Sequence, residues 1–240
     1  MIAVGIIAIL VGFVTLGWYA FFYTPPSCTD GIQNQDERGV DCEGMCANLC
    51  STPRVDALWT RALKVTDGVY HGVSLIKNPL PLSTGAGLTY TLSLYDEGNI
   101  LVAERRGTFD LDPGETRVIF EPNIVTGSRV PVRAFMKIDG GQWERAEVAK
   151  TPIRVIPGTV DQAALTLGAT LENTTAVAVN NIIADALLYD QDGIVVAASE
   201  TRVPVIPGRA RQDVTFTWAT SFTKMVTTSD IIVRIQHAAP

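Results

Sequence analysis

All four cysteines of this 240-residue chain fall between positions 28 and 50, as Cys28, Cys42, Cys46 and Cys50, with thirteen, three and three residues between them. Zinc sites favour paired C-x₂-C knuckles, and redox centres use C-x-x-C. Neither spacing occurs here. An even count of clustered cysteines in a short polar segment reads as two disulfides, with all three connectivities open. Disulfides persist outside the cytosol. A segment this short has no core of its own, so its cross-links decide whether it folds.

The same segment carries Asp30, Asn34, Asp36, Glu37, Asp41 and Glu43 against a single Arg38, with Gly31 and Gly39 supplying turns. Closely spaced oxygen ligands suit calcium, for which Asp30, Asn34, Asp36 and Asp41 are the candidate set. The loop is not an EF-hand, because the D-x-[DN]-x-[DN]-G core and the distal glutamate are missing. The other reading is a turn cluster whose side chains cap their own backbone. Both stand at this point. In Cys28, Asp30, Gly31, Asn34, Glu37, Gly39, Asp41, Cys42, Gly44 and Cys46 the segment resembles a short cysteine-rich module of microbial surface proteins. Glu43 stands where that module has glycine. The resemblance implies an exported, surface-facing protein and brings no activity with it.

The elements around this segment set its location. Residues 1–23 contain no charged side chain, and as a helix they would reach ~34 Å, enough for a ~30 Å hydrocarbon core. Trp18, Tyr19 and Tyr23 fall at the end where amphipathic rings favour the headgroup layer. A cleaved signal peptide would have a basic n-region, a shorter apolar run and an A-x-A site. The expectation is therefore an uncleaved single-pass anchor. With disulfides just beyond it, the remainder is expected outside the cytoplasmic membrane.

From Ser51 onward the chain repeats. Leu94-Tyr95-Asp96 recurs as Leu188-Tyr189-Asp190, Val102-Ala103 as Val196-Ala197, and Pro113-Gly114 as Pro207-Gly208, all 94 residues apart. Ile76-Lys77-Asn78 matches Leu171-Glu172-Asn173 at an offset of 95. So long a period is a duplicated domain rather than a solenoid. Leu88, Tyr90, Leu92 and Leu94 alternate with polar residues, and Ile182, Ala184, Ala186 and Leu188 take the same places, as strands with one face on a core. Val130, Val132, Ala134, Met136 and Ile138 alternate too, as do Ile231, Val233 and Ile235. Asp96 and Asp190 open turns, and the Pro-Gly pairs suit type II turns. Short strands without an amphipathic helix mean an all-β fold of sandwiches. The expected parts are an anchor at 1–23, a disulfide segment at 24–52, and sandwiches at 53–156 and 157–240, joined through 151–158. Gly114 is expected to superpose on Gly208.

With Asn78 and Asn173, the two Leu-Tyr-Asp triplets and the two Pro-Gly pairs, the region from Asp56 to Gln236 resembles the FxLYD-type domain of bacterial envelope proteins. That resemblance implies two tandem immunoglobulin-like sandwiches. A late-embryogenesis-abundant type 2 sandwich is the rival. Neither implies catalysis.

The remaining chemical signals are weak. Leu80–Gly85 has one residue too many for a sortase signal and lies mid-chain. Gly85-Ala86-Gly87 lacks the strand-to-helix setting of a phosphate loop. Asn173-Thr174-Thr175 is a formal glycosylation sequon, read here as a strand-end loop. His71 and His237 have no acid–nucleophile set beside them. A net charge of −6 argues against nucleic acid as a partner. No small-molecule substrate is evident. The expected partners are the membrane, through residues 1–23, and a protein of the cell envelope. The expected role is non-enzymatic binding or assembly, with a passive spacer or subunit of a larger complex as the alternative.

Overall fold

The structure is a computed structural model that describes residues 2–22, 27–34, 36–51, 53–147 and 151–236. Tyr23 and His237 lie outside the described residues. The chain divides into two compact units between Ser51 and Thr52.

The first unit contains helix α1, Ile2–Phe22, 21 residues with neither acidic nor basic side chains at its ends. Its side chains are described at Gly5 and from Leu10 to Tyr19. Among these described residues, no helix is long and apolar enough to cross a membrane. The cysteine-rich segment follows with little regular structure.

The described residues of the second unit form twelve strands in chain order: β1 Ala57–Thr66, β2 Val69–Lys77, β3 Ser83–Tyr95, β4 Leu101–Leu111, β5 Thr116–Val125 and β6 Arg133–Arg145, then β7 Ile153–Asp161, β8 Thr166–Asn173, β9 Val179–Tyr189, β10 Val195–Ile206, β11 Arg211–Thr217 and β12 Thr228–Ile235. They form four antiparallel three-stranded sheets, ordered β1-β2-β5, β4-β3-β6, β7-β8-β11 and β10-β9-β12. Each strand of the first half has its counterpart six places later, with the same neighbours. The duplication read from the triplets is therefore a duplication of topology.

Within each repeat two sheets enclose a core. Ala62 and Ile124 meet Leu92, Leu94, Ala103, Ala134 and Met136 in the first. Leu167, Leu171 and Phe216 meet Ile182, Ala184, Ala186, Leu188 and Ile206 in the second. From Leu88 in β3 and Ile182 in β9 onward, even-numbered residues face these cores, as the alternation requires. Small residues make room where a large one intrudes: a Cβ on Gly72 would lie 2.8 Å from Leu92, and one on Gly107 2.5 Å from the Tyr90 hydroxyl.

Four expectations need correction. The 151–158 junction is a strand: β7 pairs with β8 from Ile153 onward, so the second repeat begins before residue 157. Pro157 and Gly158 misled because they signal turns, yet β7 is an edge strand, where proline is tolerated and a register shift follows it. Val130 and Val132 precede β6 and are exposed, so the inward alternation starts only at Ala134. In β9 the odd positions Ile183, Asp185 and Leu187 are as buried as the even ones, because its second face is also covered. Finally, Gly114 does not fall on Gly208. The Asn78 amide donates to Glu115 O, and the Asn173 amide to Ala210 O, so the residue matching Gly114 is Arg209, which takes its left-handed conformation at φ 62°. One extra residue in β10 moves the register from 94 to 95. Gly208 is needed for a different reason: a Cβ there would lie 2.1 Å from Ala176 O.

Candidate functional site

In the cysteine-rich segment the pairing is Cys28–Cys46 and Cys42–Cys50. All four cysteines are consumed, and the two loops overlap. Gly39 sits against both members of the second bridge, since a Cβ there would lie 2.8 Å from Cys42 Sγ and 2.9 Å from Cys50 Sγ. Closing the 18-residue separation removes about 3 kcal/mol of unfolded-chain entropy.

The acidic side chains are spent on backbone amides. Asp41 accepts from the amides of Asp30 (3.0 Å) and Gly31 (2.9 Å). Asp30 accepts from the Ile32 amide, the Ser27 amide and Asn34 Nδ2, and these bonds hold its carboxyl below the usual range. Glu37, buried, accepts from the amides of Asn34 and Asp41 and lies 3.0 Å from Cys46 Sγ. Asp36 accepts from the Met45 amide. Asp30, Asn34 and Asp41 are thus brought together, with Asp36 turned toward a different loop. Among the described residues, the group of three or more ligand-type side chains that converges is Cys28, Glu37 and Cys46, and two of those are oxidised to a disulfide. A hard cation needs carboxylate oxygens facing a common point. These carboxylates face N–H donors instead, so the donor set fits turn capping better than calcium.

In the repeats, the residues carrying the duplication are structural corners. Asn78 Nδ2 donates to Ser83 O and Asp112 O, while its Oδ1 accepts from Leu80. Asn173 Nδ2 donates to Val177 O, Ile206 O and Pro207 O, and its Oδ1 accepts from the Thr175 amide. With that amide committed and only 1% of the residue exposed, Asn173 is a core corner and not an accessible sequon. Asp96 and Asp190 each cap the turn they open, accepting from Ile100 and Ile194 respectively. His71 is half-buried, accepts from the Asn123 amide through Nδ1 and packs on Phe120. Burial pushes its imidazole toward the neutral form.

Spacing did not reveal the seam between repeats. Leu63, Val73 and Val118 on the outer face of β1-β2-β5 pack against Leu187, Val195 and Ala198 on β9 and β10, flanked by Trp59, Leu75, Phe120, Tyr189 and Ile232. Thr220 Oγ1 donates to Val65 O across it. Beside the apolar contact lies a buried ionic set. Arg234 pairs with Asp185 and Glu200, and Arg117 on β5 with Glu115 just before it fall within their field. Burial pushes the Asp185 carboxyl up to about 7, raises Glu115 and lowers Arg117. Asp185 Oδ1, Arg234 Nε and Arg117 Nε have no hydrogen-bond partner among the described residues. A sequence signal existed in the nearly unbroken apolar run Ile182–Leu188, which marks a strand buried on both faces.

No family model and no curated protein matches the chain. Among solved structures, red sea bream transglutaminase is similar at 12% identity over 79% of this chain and 32% of its own, with a TM-score of 0.24. A beta-glucuronidase from glycoside hydrolase family 2 is similar at 14% identity over 83% of this chain and 26% of its own, with a TM-score of 0.18. The chain spans about a third or less of either length, and scores this low carry no argument about fold family or activity.

Proposed function

We propose that this is a membrane-anchored, extracytoplasmic binding or assembly protein of the cell envelope, non-enzymatic, with tandem immunoglobulin-like sandwiches of the FxLYD type. The observation that carries the reading is the pair of interleaved disulfides, Cys28–Cys46 and Cys42–Cys50, a cross-link pattern that persists in oxidising compartments. The support for the anchor is the charge-free run of residues 1–23 in the sequence; it stands against the finding that, among the described residues, no helix is long and apolar enough to cross a membrane. The repeats offer faces and edges rather than reactive groups. Asp96 and Asp190 are held by their own turns, and His71 by a backbone amide. The seam also fits a passive spacer, because it joins the two sandwiches through a shared apolar core.

Protease added to intact spheroplasts should digest everything after residue 23, with the cysteines unreactive to alkylation until reduced. Full protection with free cytosolic thiols would overturn the topology. Crosslinking and capture from membranes then separates the two roles: specific partners support assembly, and their absence supports the spacer.

A further inference from the structure

The two repeats use one face differently. In the second, the outer face of β10-β9-β12 is covered by the first repeat at Leu187, Val195 and Tyr189. Within the second unit, the described residues leave apolar side chains exposed on the equivalent face of β4-β3-β6. Phe135 is 56% exposed and Leu101 46%, and Ile100, Val130 and Val132 are exposed beside them. Tyr95 stands edge-on to Phe135, with ring centroids 5.8 Å apart. A cluster of exposed apolar side chains rimmed by charge marks an interaction surface.

Strand register places the residues of this face in four rows across β4, β3 and β6: Leu101–Tyr95–Arg133, Glu104–Ser93–Phe135, Arg106–Thr91–Lys137 and Thr108–Thr89–Asp139. We propose that this face is a homodimer interface, taking the same face of a second copy with strands antiparallel, about a two-fold axis between the Ser93 and Thr91 rows. In that arrangement the charge pattern is its own complement. Glu104 meets the second copy's Arg106, Arg133 meets the second copy's Asp139, and Lys137 lies over the second copy's Phe135, each twice. Like charges do not meet in these rows. An axis along the strands would instead set Arg106 over the second copy's Lys137.

A head-to-tail contact is disfavoured by the chain itself. The outer face of β7-β8-β11 is the counterpart of the apolar surface that covers β9, but it carries Arg154, Thr170, Glu172, Arg211 and Asp213. These pair among themselves, as Glu104 does with Arg106 and Lys137 with Asp139 on β4-β3-β6, but among the described residues β7-β8-β11 lacks an aromatic pair like Tyr95 and Phe135 between its charges. The stack of sandwiches therefore ends there, and the remaining way to cover β4-β3-β6 with this chain is the isologous one. Three strands ~4.8 Å apart and seven residues at ~3.4 Å make a patch of a few hundred Å², below the ~800 Å² per partner of a standard interface. The dimer is a weak one that forms at high local concentration.

Because all four native cysteines are paired, Thr91→Cys adds one free thiol near the axis. Purified full-length protein in mild detergent, treated with a short bis-maleimide, should yield a covalent dimer. Glu104→Arg or Arg106→Glu in that background should each cut the yield about tenfold, by setting like charges face to face. An equimolar mixture of the two variants should restore it, because each then presents the opposite charge to the other. Recovery on mixing is beyond the reach of damage within one chain or of association through α1. No dimer from Thr91→Cys alone, a dimer indifferent to both substitutions, or a mixture as poor as its components would each overturn the proposal. The result does not depend on which side of a membrane the chain occupies.

Discussion

Arg234 on β12 reaches across the outer face of its sheet to Asp185 on the central strand β9, and its other nitrogen donates to Glu200 on β10 at 3.0 Å. One guanidinium thus ties all three strands of the sheet where the first repeat covers it. Removing one partner of a buried pair leaves the other charged and desolvated. Asp185→Ala should destabilise the second unit by about 3–5 kcal/mol in urea unfolding. Asp185→Leu with Arg234→Met should recover most of that loss. Equal losses in the single and double variants would show that packing, not charge, governs the site.

The same carboxyl predicts a pH dependence. Its folded value, about 7, lies above the ordinary 3.8, so the folded state binds the proton more tightly. That contribution is full below about 4 and is lost as pH rises through about 7, with a slope no steeper than ~1.4 kcal/mol per unit. Glu115, also raised by burial, adds in the same direction. The urea midpoint should fall between pH 5 and 8, and Asp185→Asn should flatten the curve. An unchanged slope in Asp185→Asn would assign the effect elsewhere.

The apolar seam predicts cooperative unfolding of the two repeats. Leu187 is fully buried among residues of both, so Leu187→Ala should cost about 2–5 kcal/mol. Fluorescence of Trp59 and Trp143 in the first repeat should change in the same thermal transition as that of Trp218 in the second. Two separated transitions in the wild-type protein would show that the seam does not couple them.

The two Pro-Gly pairs, alike in sequence, should respond differently to alanine. Gly114 has φ 65° with its nearest neighbour at 3.7 Å, so Gly114→Ala carries only the left-handed backbone cost of about 1–2 kcal/mol. Gly208 is not left-handed, but its Cβ would collide with Ala176 O and force the loop apart. Gly208→Ala should therefore lower the melting temperature more than Gly114→Ala does. The reverse order would contradict the 95-residue register.

In the cysteine-rich segment, Asp41→Ala removes the acceptor of two amides and Asp36→Ala the acceptor of one. Asp41→Ala should speed disulfide reduction and proteolysis more, to the same extent in millimolar calcium and in chelator. Protection that appears only with calcium and is lost in Asp36→Ala would restore the metal reading.

Much of this protein is local chemistry and was legible without coordinates. The even residues of β3, the Asp96 and Asp190 turns, the matched Asn78 and Asn173, and a disulfide-linked segment all follow from neighbours a few positions apart or from a period of two. What decided the rest lies far apart in the chain. The Pro157 signal was overridden because β7 is an edge strand. The turn at Pro207 slid by one residue because the Asn173 amide selects Ala210. The cysteine partners depended on which sulfurs the fold of residues 28–50 brings together. Above all, Leu63 and Val73 are more than a hundred residues, and Val118 about seventy or more, from Leu187, Val195 and Ala198. Periodicity states that a strand has an apolar face, but only the tertiary structure determines which surface covers it. That is why β9 is buried on both sides while its twin β3 keeps one face open.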